Sequence, residues 1–83
     1  MKPLNILLAE DNQADILLVR NALAEHRIQH LLHVVNDGGA AIQYVLGIGT
    51  PGAAPCPDVM LLDLNLPVAD GPEVLRHFRA HPP

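Results

Sequence analysis

Cysteine and lysine are almost missing from this chain, and the aromatic residues are scarce. Its 83 residues include one cysteine, Cys56, one lysine, Lys2, one tyrosine, one phenylalanine and no tryptophan. A lone cysteine closes no internal disulfide, which excludes a disulfide-stapled secreted scaffold. With aromatic residues at 2% and Asp+Glu at 9 against Lys+Arg at 5, a formal net charge of −4, neither the basic patch nor the stacking surface of a nucleic-acid binder is available. Long apolar runs are lacking too. The run behind Met1-Lys2-Pro3 lasts six residues and stops at two acids, too short for a membrane span or a signal peptide. A soluble protein in a reducing, cytoplasmic setting is expected.

Apolar residues make up 49% of the chain and charged residues 17%, a balance that supports a packed core rather than a disordered tail. The length allows one small domain, residues 1–83, and excludes a multi-domain enzyme. A domain of this size buries only roughly 60–65% of the surface of its unfolded chain, so marginal stability is expected.

Leu4 to Ala9 is an almost continuous apolar run, as in a strand buried on both faces, and is assigned β1. From Asn12 or Gln13 the period changes. Ile16, Val19 and Leu23 share a helical face, with Leu17 and Leu18 flanking, which predicts a helix α1 to about His26 whose apolar stripe is core. Leu31 to Val35, interrupted by His33, reads as a strand β2 near the sheet edge, and Asn36-Asp37-Gly38-Gly39 supplies a turn and a helix cap for α2, about Gly39 to Leu46. Gly47 to Pro57 is rich in proline and glycine and reads as a loop. Asp58 to Asp63 is the third strand, β3. Asp70-Gly71-Pro72-Glu73 has the form of a helix start, and Val74, Leu75 and Phe78 form the predicted apolar face of α3, which Pro82 and Pro83 end.

The alternation of strand and helix predicts βαβ units, a parallel sheet and right-handed crossovers, that is, a doubly wound α/β architecture. In such sheets the chemistry lies beyond the carboxyl ends of the strands. Glu10 and Asp11 follow β1, and Asp63 ends β3. If β1 and β3 are neighbours, three carboxylates converge that cannot all stay ionised without a compensating positive charge. A hard divalent cation is the natural solution, with Mg²⁺ held by the acids and the Asn65 backbone carbonyl. Asp63 is then the candidate nucleophile toward a phosphoryl group.

Leu8-Ala9-Glu10-Asp11-Asn12, Val35-Asn36-Asp37-Gly38, and Pro57 to Pro67 followed by Asp70-Gly71 resemble the receiver domain of two-component response regulators. The resemblance spans the chain and implies a flavodoxin-like (CheY-like) fold with strand order 2-1-3. It implies that Asp63 is the phosphoacceptor for a phosphohistidine on a sensor histidine kinase. Asp11 is then the direct Mg²⁺ ligand, Glu10 acts mainly through metal-bound water, and Asn65 lends its carbonyl, while Pro67 and Gly71 shape the loop over the site. The run Asp63-Leu64-Asn65-Leu66-Pro67 is similar to stand-alone regulators that partner phytochrome-type kinases.

The pattern departs from the family after α3. A receiver continues to a strand order 2-1-3-4-5, with a switch Ser or Thr on the fourth strand and a Lys on the fifth. Lys2 sits at the wrong end to replace that lysine. An incomplete receiver is therefore expected, truncated after α3, with β3 as an open edge prone to self-association. The rival to phosphotransfer is a phosphorylation-incompetent dimerisation or interaction module. In either case the phosphoryl group ends on the protein or never arrives, and the chain is not expected to be an enzyme.

Other signals carry less. Gly47-Ile48-Gly49-Thr50-Pro51-Gly52 matches a dinucleotide fingerprint but does not follow a strand. Asp63-Leu64-Asn65 lacks the second acid of aspartyl-phosphate phosphatases. His26, His30, His33, His77 and His81 have no paired ligand spacing and read as solvated, and Cys56 reads as an exposed loop thiol. Glu10 and Asp11 have an ordinary reading as capping acids of α1, one that does not explain Asp63.

Overall fold

The computed structural model describes residues 2–48, 51–52, 55–63 and 71–80. The elements are β1 Leu4–Ala9, α1 Gln13–Glu25, β2 His30–Val35, α2 Gly38–Gly47, β3 Val59–Leu62 and α3 Gly71–Ala80. Their order and type are those read from the periodicity. β2 starts one residue earlier than expected, and β3 is shorter by one residue at each end.

The strands form one parallel sheet in the order β2-β1-β3. Leu4 to Ala9 pair with His30 to Val35, and Ile6 to Ala9 pair with Val59 to Leu62. With neighbours on both sides, β1 has Ile6, Leu7, Leu8 and Ala9 all buried, which is why its sequence does not alternate. The register aligns the carboxyl ends of all three strands, since Ala9 lies opposite both Val35 and Leu62.

The core of one sheet face is Ala9, Ala41 and Val74, with Val35, Ile42, Met60 and Leu62 packed against it, so α2 and α3 cover this side. Leu7, Val45 and Val74 are fully buried, each contributing roughly 1.5–3 kcal/mol through removal from water. By strand alternation Val59 and Leu61 face the other way, and both stay 38% exposed.

Two apolar faces differ from expectation. Only Ile16 of α1 is buried; Val19 and Leu23 are half-buried, and Leu17 and Leu18 are 57% and 66% exposed. On α3 Val74 is buried but Leu75 is exposed, because its neighbour position turns it away from the cluster around Ala41, while the Phe78 side chain is outside the described residues.

The helix ends follow local chemistry. Asn12 caps α1, its side chain accepting from the Ala14 and Asp15 amides, and Asp37 caps α2, accepting from the Ala40 amide at 2.6 Å. The cap of α1 is Asn12, not Glu10 or Asp11. α1 closes in a Schellman arrangement, with the Arg27 amide donating to Ala24 O and the Ile28 amide to Leu23 O. Arg27 takes the left-handed φ of 54° at the position where glycine is usual. α2 runs one residue further than expected at each end, so Gly47, read as the start of the loop, is its last residue.

Candidate functional site

The site is built on strand ends. Because β1 is hydrogen-bonded on both sides, the residue after it emerges at a fixed place: the Glu10 amide donates to Val35 O at 3.0 Å, while the Asp63 amide donates to Ala9 O at 3.1 Å. The sheet ladder thus runs one residue past each strand and places Glu10 and Asp63 side by side. Asp11 follows in the link to α1.

Oxygens of Glu10, Asp11 and Asp63 all lie within 4.8 Å of one another. Glu10 is 8% exposed, Asp63 half-buried and Asp11 exposed, so the cluster grades from core to solvent. The Glu10 carboxyl accepts from the Asn12 amide at 3.3 Å. Burial pushes the Glu10 carboxyl above the usual carboxylate range, and the Asp63 carboxyl, through a hydrogen bond and its charge, and the Asp15 charge push the same way; the Asn12 amide opposes them.

These groups fit a hard divalent cation. All three offer oxygen donors, and a carboxyl held above its ordinary range by burial first and by its acidic neighbours second is a group whose ionised form a cation would stabilise. Among the described residues this is the one group of three or more His, Cys, Asp or Glu whose donor atoms come together. Asn65 and Pro67, assigned to the metal carbonyl and the overlying loop, lie outside the described residues, and Gly71 is the first residue of α3.

Among the described residues the histidines form no such group. His26 is exposed, His30 and His77 are half-buried, and His81 is outside the described residues. His33 corrects the expectation of a solvated ring: it lies half-buried on β2 against Tyr44, ring centroids 5.7 Å apart, with Nε2 buried and without a hydrogen-bond partner. Tyr44, on α2, donates its hydroxyl to Pro55 O at 2.9 Å. Cys56 is exposed, as expected.

Two contributors escaped the sequence reading. Asn36, from the turn after β2, donates from Nδ2 to Glu10 O at 3.2 Å, and Asp15, in the first turn of α1, adds charge against Glu10. Asn36 follows Val35, the register partner of Ala9, so the β1–β2 register was the signal that could have found it.

No family model matches the chain. Response regulator Rcp1 of Synechocystis sp. is 42% identical over 80 residues, covering 96% of this chain and 54% of that protein. The structure of its Mn²⁺-bound form superposes with a TM-score of 0.84, at 42% identity over 96% of this chain and 58% of that one. The phosphorylated cyanobacterial phytochrome response regulator RcpA gives a TM-score of 0.85 at 43% identity, covering 98% of this chain and 58% of that one. The receiver domain of a sensor histidine kinase from Pseudomonas aeruginosa, with magnesium coordinated in its active-site cleft, gives 0.77 at 27% identity, covering 98% of this chain and 59% of that one. The chain spans about half the length of the curated relatives it matches.

Proposed function

We propose that this chain, a homologue of response regulators with the receiver-domain fold, accepts a phosphoryl group on Asp63 from a phosphohistidine of a sensor kinase, with Mg²⁺ at the acidic cluster. The observation that carries the reading is the convergence of Glu10, Asp11 and Asp63 within 4.8 Å at the aligned carboxyl ends of β1 and β3. Glu10, Asp11, Asp63 and the Asn65 carbonyl would hold the cation, which offsets charge on the phosphoryl oxygens when bound.

Each acid has a separate task. Asp63 is half-buried, open enough for a phosphoryl donor to approach, and fixed by the bond from its amide to Ala9 O. Its carboxylate oxygen forms the new bond to phosphorus as the phosphorus–nitrogen bond breaks, and the imidazole nitrogen of the donor keeps that electron pair. Asp11, at the exposed rim, supplies charge where the cation enters. Glu10 closes the cluster from the core side, where its raised proton affinity couples metal binding to proton release. The phosphoryl group ends on the chain itself, so the chain is a reactant and not an enzyme. A phytochrome-type histidine kinase is the proposed donor, in the cytoplasm, supported by relatives named as phytochrome and bacteriophytochrome response regulators.

The test is intact mass after incubation with Mg²⁺ and a small-molecule phosphodonor. A phosphate-sized gain in the parent and none in Asp63→Asn is the expected result; an equal gain in both, or in neither, overturns the reading.

A second reading has its own support. Among the described residues β3 pairs only with β1, and Val59 and Leu61 are exposed beside its open edge. Such an edge is a template for strand pairing, and self-association through β3 is the proposed consequence, either alongside phosphotransfer or as an interaction module in its place. Sedimentation decides it: association that is independent of Mg²⁺ and phosphodonor and is lost in Leu61→Lys supports the module, and a concentration-independent monomer rejects it.

A further inference from the structure

Glu10 has its main chain tied at both ends by the end of β2. Its amide donates to Val35 O at 3.0 Å, and its carbonyl accepts from Asn36 Nδ2 at 3.2 Å. Its carboxyl is tied separately, to the Asn12 amide at 3.3 Å. Rotation of the Glu10 peptide groups is thus opposed from one side by a ladder bond and from the other by a single side chain.

Asn36 is well placed for this. It stands between Val35, the last paired residue of β2, and Asp37, whose side chain caps α2 through the Ala40 amide at 2.6 Å. Its own backbone is bracketed by a strand end and a helix start, two rigid supports, so its exposed side chain reaches Glu10 O from a fixed base. The contact spans 26 positions of sequence and links the β2–α2 connection to the acid cluster. An amide is suited to the task because it donates to the carbonyl without adding a fourth negative charge beside Glu10, Asp11 and Asp63.

We propose that Asn36 is a positioning residue of the cation site: by holding the Glu10 carbonyl it fixes the direction in which the Glu10–Asp11 pair leaves β1, and so sets the affinity for a divalent cation. This rests on the reading of the cluster as a cation site. Asn36 itself binds neither cation nor phosphoryl group. Outer residues that orient the ligands of a metal usually change affinity by about 10-fold or more when removed, and a loss of about 10-fold is expected for Asn36→Ala.

The experiment is a Mn²⁺ titration, read as free Mn²⁺ by its paramagnetic signal, of the parent, Asn36→Ala and Asn36→Gln, paired with urea unfolding of each in chelator. Weakened Mn²⁺ binding in Asn36→Ala at an unchanged unfolding midpoint, with recovery in Asn36→Gln, which keeps the amide donor, supports the assignment. Equal binding by parent and Asn36→Ala overturns it and leaves the proposed function standing. Both variants weak in Mn²⁺ binding and equally destabilised in chelator would make Asn36 merely structural and also overturn it. A parent that binds no Mn²⁺ removes the cation site and the assignment together.

Discussion

β1 and β3 are parallel neighbours that each end in acid, yet they are held very differently. All four residues Ile6 to Ala9 of β1 are buried and bonded on both sides, whereas among the described residues β3 has one strand partner and leaves Val59 and Leu61 exposed. The acids repeat the contrast: Glu10 is buried and anchored at its amide, its carbonyl and its carboxyl, while Asp63 is half-buried. The site therefore has a rigid wall supplied by the central strand and a more accessible wall supplied by the edge. A phosphoryl acceptor belongs on the second, because it must meet another molecule, and the ligands that set geometry belong on the first.

The contrast is broken most severely from its rigid side. Leu7→Ala removes a fully buried side chain and is expected to destabilise by about 2–5 kcal/mol, enough to unfold a domain this small, whereas Leu61→Ala is expected to cost less than about 1 kcal/mol. Urea unfolding of the two variants checks the difference; similar midpoints would mean that β1 and β3 are equally supported.

Glu10 sharpens it further. Its carboxyl is raised above the ordinary range by burial first, and by Asp63 and Asp15, so the folded chain binds that proton more tightly than the unfolded chain. The stability that Glu10 contributes is fully present below the unfolded carboxyl range and is lost as pH rises through the raised folded value. In chelator, stability is thus expected to fall from this group as pH climbs out of the ordinary carboxylate range and through the raised folded value, and the fall should be smaller in Glu10→Gln. Mg²⁺ should restore stability to the parent at the upper end and much less to Glu10→Gln. Urea midpoints against pH, with and without Mg²⁺, test both statements.

The smallest effect lies away from the site. Arg27 occupies a left-handed position, and Arg27→Gly is expected to stabilise the chain by up to about 1 kcal/mol without altering Mn²⁺ affinity. A change in cation binding would show that the α1–β2 corner communicates with the acids, contrary to the picture of a site fixed by strand ends.

The periodicity of Leu4 to Ala9 and of Val59 to Leu62, with acids directly behind each, made the parallel sheet and the convergence of Glu10, Asp11 and Asp63 legible, because strand ends in such a sheet have few places to go. What sequence could not give was the choice among apolar residues. Leu17 and Leu18 match Val19 in character, yet only packing decides that Ile16 alone is buried on α1. His33 is polar by type and sits half-buried, its ring beside that of Tyr44, a proximity of β2 and α2 that no local pattern records. Asn36 was hidden for a related reason, since turn residues and positioning residues are drawn from the same few types and register alone separates them.

The most direct test of the central claim is to trap the acyl phosphate. After reaction with a small phosphodonor and Mg²⁺, borohydride reduction converts a phosphorylated aspartate to homoserine, which peptide mass spectrometry locates. The account predicts homoserine at position 63, dependent on Mg²⁺ and diminished in Asp11→Asn. Homoserine at another acid, or at position 63 with equal yield in chelator, would contradict it.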